Sequence, residues 1–69
     1  MLFRSKALTI LSGALREVSQ ALDIDPKNTE LLRYQANVYN FRGDALLIVG
    51  DIEGAFTDYG HGLKVRQSL

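Results

Sequence analysis

The sequence predicts an all-α fold of three antiparallel helices, at about 2–23, 29–49 and 52–66. Three observations carry that reading. Leu8, Leu11, Leu15, Val18 and Leu22 recur at spacings of 3, 4, 3 and 4, which draws one apolar stripe along a helix. The only proline, Pro26, lies in "DIDPKNTE", where that stripe stops. No segment alternates apolar and polar residues as a half-buried strand does.

The first helix carries Ala7, Ala14 and Ala21 beside its stripe, small enough for another helix to approach closely. Pro26 lacks a backbone donor and steers Asp25 away from helical angles, so the helix ends before it. Asn28 or Thr29 then caps the second helix, with Glu30 in the first turn, where the helix dipole favours an acid. This helix has two apolar stripes. One is Leu32, Ala36, Tyr39 and Leu46, and the other is Leu31, Val38, Ala45 and Val49. Two such faces suit a middle helix packed between neighbours. In the third helix, Ile52, Ala55, Phe56, Tyr59 and Leu63 follow helical spacing. Tyr39, Phe56 and Tyr59 are expected in the core.

The stretch "RGDALLIVGDIEGAF", residues 42–56, contains two Gly-Asp pairs, and only one can be the second corner. Gly50-Asp51 is favoured. Asp51 can cap a helix with Glu53 in its first turn, whereas Asp44 is followed by Ala45-Leu46-Leu47 with no acid. A corner at 50 also gives the first two helices matching lengths. Gly43 then sits inside the second helix at a cost of about 1 kcal/mol relative to Ala. On that basis Gly43→Ala is expected to stabilise by a few tenths to about 1 kcal/mol.

Sixty-nine residues make a single domain, 1–69, that buries only about 60% of its unfolded surface. Such chains recover stability through disulfides, metals or association. There is no Cys, and the one His cannot build a structural zinc site, which needs about four N or S ligands. Association is the route left, with a two-fold dimer the simplest closure. A net charge of zero gives no electrostatic reason to expect nucleic acid or an anionic membrane as partner. No apolar run reaches the ~18 residues of a transmembrane helix. The lack of Cys fits a reducing compartment such as the cytoplasm. Residues 1–16 hold Arg4, Lys6 and Arg16 and no acid, as organelle presequences do, but their apolar spacing continues past any cleavage point.

The run Ala14-x3-Val18-x2-Ala21-Leu22-x3-Pro26, ending in "ALDIDPKN", resembles the second helix and closing segment of a tetratricopeptide repeat. Residues 38–65 resemble the first helix, turn and second helix of another repeat. Gly50-Asp51 falls at its turn, and Ala55, Tyr59, Gly62 and Leu63 at its second-helix core positions. The chain departs from the family pattern in spacing and number. Ala14 and Ala55 are 41 residues apart, against about 34 in the family, and only about one and a half repeats are present. The surplus of seven is two helical turns, which returns nearly the same face. The resemblance implies stacked helical hairpins and a non-catalytic role in binding a protein or peptide partner. The alternative is a structural fragment, the terminal piece of a longer solenoid.

Candidate interface residues follow from both lines. The resemblance implies that Arg33 and Asn37, one turn apart, could hold a peptide carboxylate, although a full clamp needs further basic and Asn residues. Tyr34 and Phe41 lie on the other side of the second helix from the expected core. Leu2, Phe3 and Ile10 face outward from a first helix with no predecessor to pack on. Arg42-Gly43-Asp44 spells an adhesion tripeptide, but falls where packing, not an exposed loop, is expected. Asp58 and His61 share a helix face without a nucleophile, and no glycine-rich phosphate loop appears. No enzyme activity and no cofactor are expected.

Overall fold

In the computed structural model, which describes residues 2–69 and side chains from Lys6 onward, three helices follow one another. They are α1 (Leu2–Ile24), α2 (Thr29–Ile48) and α3 (Ile52–Gln67). Each turns back on the one before, and no strand is present among the described residues.

The first corner is held by short polar bonds. The Asp25 amide still donates to the Ala21 carbonyl (3.0 Å), and the Asn28 amide donates to the Asp25 carbonyl (3.2 Å). Asn28, not Thr29, is the cap: its side chain accepts from the Leu31 amide at 3.1 Å and donates to Asp25 at 3.1 Å. Both residues whose angles Pro26 restricts are thereby kept out of helix.

The second corner is at Gly50-Asp51, and α2 runs unbroken through Gly43. Gly50 has φ +90°, a conformation open to glycine at little steric cost. Its amide donates to Leu47 (3.0 Å), and the Asp51 amide donates to Leu46 (2.9 Å). This is the paired-bond ending that a left-handed residue allows after a helix. Asp51 then starts α3 by accepting the Gly54 amide at 2.9 Å. Val49 is the cap of α2, so the helix ends one residue earlier than its apolar pattern predicts.

α2 packs against both neighbours, while α1 and α3 do not pack on each other among the described residues. The Cα envelope of 37 × 21 × 13 Å is therefore a thin layer of helices. Among the described residues, Leu15 and Val18 of α1, Ala36 and Val38 of α2, and Ala55 of α3 are the buried apolar ones, and no large side chain is completely enclosed. The α2–α3 seam is lined by small residues. Ala36 and Gly43 on α2, like Ala55 and Gly62 on α3, are buried and seven apart. A Cβ at Gly62 would come within 2.8 Å of Asn40 Oδ1 and 3.2 Å of the Ala36 carbonyl.

Two expectations are corrected here. Phe56 and Leu63 are not core residues but 64% and 57% exposed. The line of α3 that meets α2 runs through Ala55, Asp58 and Gly62. Phe56 and Leu63 each follow that line by one residue, about 100° further round the helix, where no fourth helix stands. Gly43 is also more than a tolerated helix glycine. A Cβ there would lie 2.6 Å from the Tyr59 ring, so the expected gain from Gly43→Ala is overturned.

Candidate interaction surface

The polar centre of the layer is Arg42. Its guanidinium donates twice to Asp58, from Nε to Oδ2 at 2.6 Å and from Nη2 to Oδ1 at 2.8 Å. Nη1 donates to Ser12 Oγ at 3.2 Å. One side chain of α2 thus reaches both α1 and α3, which do not meet directly among the described residues. Asp58 is buried, at 3% exposure, and this bidentate pair satisfies it. The hydrogen bonds to Asp58 raise the Arg42 guanidinium above its ordinary range, against the opposing effect of burial.

This pairing settles two sequence motifs. The Arg42-Gly43-Asp44 tripeptide is inside α2, with Arg42 tied to Asp58, Gly43 buried under Tyr59 and Asp44 accepting the Tyr59 hydroxyl. Asp58 faces Arg42 and does not orient His61, whose ring instead lies 5.1 Å from that of Tyr39. Sequence reasoning missed the Arg42–Asp58 pair. The signal was available: Asp58 falls between Ala55 and Gly62 on the small-residue line, and a carboxylate there needs a cationic partner.

The candidate interface residues divide. Leu2 and Phe3 lie outside the residues whose side chains are described. Asn37 accepts from Arg66 Nη2 of α3 at 2.7 Å, so one member of the expected carboxylate pair is held by the protein itself. Arg33 remains exposed on α2. Tyr34 is 50% exposed, Phe41 59% and Ile10 61%. Ile10 and Tyr34 are brought together, lining an open groove of about 540 Å³ between α1 and α2 with Ala14, Glu17, Ala21 and Leu31.

Heptad spacing extends this face. Tyr34, Phe41 and Ile48 stand seven apart on α2, and Ile10, Glu17 and Ile24 seven apart on α1. Seven residues return nearly the same direction on a helix, so each set forms a row. All but Glu17 are large apolar residues, and all six are exposed. A second exposed set, Ile52, Phe56 and Leu63, follows α3.

Among the described residues no group of His, Cys, Asp and Glu is placed to hold a metal ion, and no helix is long and apolar enough to cross a membrane. Comparison with protein-family models, curated proteins and solved structures finds no match.

Proposed function

We propose that this chain is a non-catalytic protein–protein interaction module of tetratricopeptide-like build, acting as a small scaffold unit by self-association or by docking into a larger assembly. The observation that carries this reading is the exposed apolar pair Ile10 and Tyr34 at the α1–α2 groove, with exposed Phe41 seven residues beyond Tyr34 on α2. The polar groups nearest the helix seams are engaged internally: Arg42 with Asp58, Tyr59 with Asp44, Arg66 with Asn37. What remains open is apolar surface shaped as a groove, which suits a helix or an extended peptide. The Cys-free composition supports a reducing compartment such as the cytoplasm as the place of action.

The test compares the native chain with Ile10→Ser/Tyr34→Ser/Phe41→Ser at equal helicity. The native chain is expected to self-associate or to retain a specific protein that the variant loses. A native chain that is monomeric and retains nothing the variant does not also retain would overturn the proposal.

The alternative, a terminal unit of a longer helical stack, is favoured by one observation. Ile52, Phe56 and Leu63 leave α3 with an exposed apolar edge where a following helix could pack. Under that reading, charges at Phe56 and Leu63, rather than at Tyr34 and Phe41, abolish association.

A further inference from the structure

We infer that the open row of α3 pairs with α3 of a second copy, antiparallel about a two-fold axis that passes between Phe56 and Tyr59; this goes beyond the groove reading above, because it assigns a different face and names its partner. Three observations carry it. The first is an internal correspondence. Leu11, Leu15, Val18 and Leu22 of α1 and Ile52, Phe56, Tyr59 and Leu63 of α3 share the spacings 4, 3 and 4, at a constant offset of 41 residues. Spacing of this kind marks the seam along which two helices pack. Among the described residues α1 packs on α2 alone, so α2, running antiparallel, is what leaves Leu15 only 8% and Val18 only 3% exposed. On α3 the equivalent row is bare, with Ile52 57%, Phe56 64% and Leu63 57% exposed. What the α3 row lacks is an antiparallel helix.

The second is that α3 itself fits as that helix. A two-fold interface must be its own complement. The spacings 4, 3 and 4 read the same from either end. An antiparallel copy therefore sets Ile52 opposite the second copy's Leu63, and Phe56 opposite the second copy's Tyr59. Every large side chain of the row then meets another. The Phe56 and Tyr59 rings, 6.4 Å apart within one chain, come together with their copies at the centre.

The third is charge on the flanks of the row. Ala55, Asp58 and Gly62, which meet α2, precede Phe56, Tyr59 and Leu63 by one residue and lie about 100° to one side of them. Glu53 and Lys64 follow Ile52 and Leu63 by one residue and lie about 100° to the other side, both exposed. Neither pairs with a charge of its own chain among the described residues. In an antiparallel pair about a two-fold axis the same flank of both helices lies side by side. Glu53 at the start of one α3 is then within reach of Lys64 at the end of the other, and the contact is made twice. Each α2 stays on the opposite flank, clear of the second copy. The α1–α2 groove, lined by no residue of α3, is not consumed by this pairing.

Mass and cross-linking test this arrangement. In sedimentation equilibrium at tens of micromolar the native chain is expected at twice its 7.7 kDa mass. Phe56 is exposed, so Phe56→Glu is expected to keep native helicity by circular dichroism, yet to sediment at the mass of one chain, since the dimer would bury that carboxylate twice. Orientation is read from thiols, because the chain has no Cys of its own. Ile52→Cys and Leu63→Cys, both at exposed positions, are expected to form a covalent dimer with a short thiol cross-linker when the two variants are mixed. Either variant alone is expected to give about tenfold less, because like positions stand about 16 Å apart along an antiparallel pair. A native monomer, a Phe56→Glu chain that keeps the dimer mass, or single variants that cross-link as readily as their mixture overturns the assignment. The interaction reading is tested separately, by the protein that Ile10→Ser/Tyr34→Ser/Phe41→Ser loses, and it stands if only the α3 pairing falls.

Discussion

At the scale of single residues, Gly43 shows how a neighbour decides what a glycine is for. Helix propensity alone gives Ala an advantage of about 1 kcal/mol at an interior helix position. Here a Cβ would meet the Tyr59 ring at 2.6 Å. That ring could swing aside only by giving up the bond from its hydroxyl to Asp44. Gly43→Ala is therefore expected to destabilise by about 1–2 kcal/mol in denaturant unfolding, the overpacking cost exceeding the propensity gain. In a Tyr59→Ala background the same change is expected to be neutral or stabilising by up to about 1 kcal/mol, and equal losses in both backgrounds would exclude the ring as the cause. The same bond predicts a pH effect. Hydrogen bonding to the Asp44 carboxylate raises the Tyr59 phenol above its ordinary value of about 10. A folded-state value above the unfolded one contributes stability that is complete below the unfolded value and lost as pH rises through the folded one. The thermal stability of the native chain relative to Tyr59→Phe is expected to be constant from neutral pH to about 9 and to fall above about 10. A difference that stays flat through that range would remove the bond from the account.

At the scale of elements, the corners separate what the sequence shows from what it hides. Gly50-Asp51 was legible because two local chemistries agree there: a glycine able to take φ +90° and an acid able to cap the next helix. Gly43-Asp44 has the same letters but no first-turn acid, and it lies within α2. Gly50→Ala is thus expected to cost about 1–2 kcal/mol from the left-handed backbone alone, since open space surrounds that position. A loss below about 0.3 kcal/mol would place the second corner elsewhere. The three helices and their limits were readable for the same reason, since Asn28, Pro26 and Asp51 act on their own neighbours. Which face of α3 is buried was not. Its apolar residues Phe56 and Leu63 point to one face, but small Ala55 and Gly62 with paired Asp58 form the buried one. Periodicity weighs residues by hydropathy, whereas this contact was decided by closeness of approach. The Arg42–Asp58 pair depends on that approach and was hidden with it. The exposure of Tyr34, Phe41 and Ile10 was legible, since the core stripes leave them over. That Asn37 is engaged by Arg66 depends on the register of two helices, which no local pattern fixes.

At the scale of the whole molecule, α2 packs against both other helices among the described residues, and Arg42 is a side chain that joins all three. A guanidinium can meet Asp58 with two bonds and Ser12 with a third, whereas a lysine cannot reproduce that fork. Arg42→Lys is expected to cost about 1–3 kcal/mol in unfolding free energy at unchanged helix content, and a cost under about 0.5 kcal/mol would show the pair to be incidental. Even with this tie, the layer is one helix deep beyond α2 and completely encloses no large described side chain. A single chain of this build has little stability to spare. If association through the α1–α2 face supplies the rest, folding and pairing are linked, and the melting temperature must depend on concentration. For a dimer that separates as it unfolds, each tenfold dilution removes about 1.4 kcal/mol per dimer, or about 0.7 kcal/mol per chain. For a domain of this size that is a fall of roughly 3–6 °C per decade. The native chain is expected to show this slope by circular dichroism between about 1 and 100 μM. Ile10→Ser/Tyr34→Ser/Phe41→Ser is expected to melt with a flatter slope, because less of it is paired at any concentration. Gly43→Ala is expected to lower the whole curve without changing the slope, since the α2–α3 seam is away from the groove. A native melting temperature independent of concentration across that range would mean that the monomer carries its own stability, and the open face would then have to be explained by a partner other than its own copy.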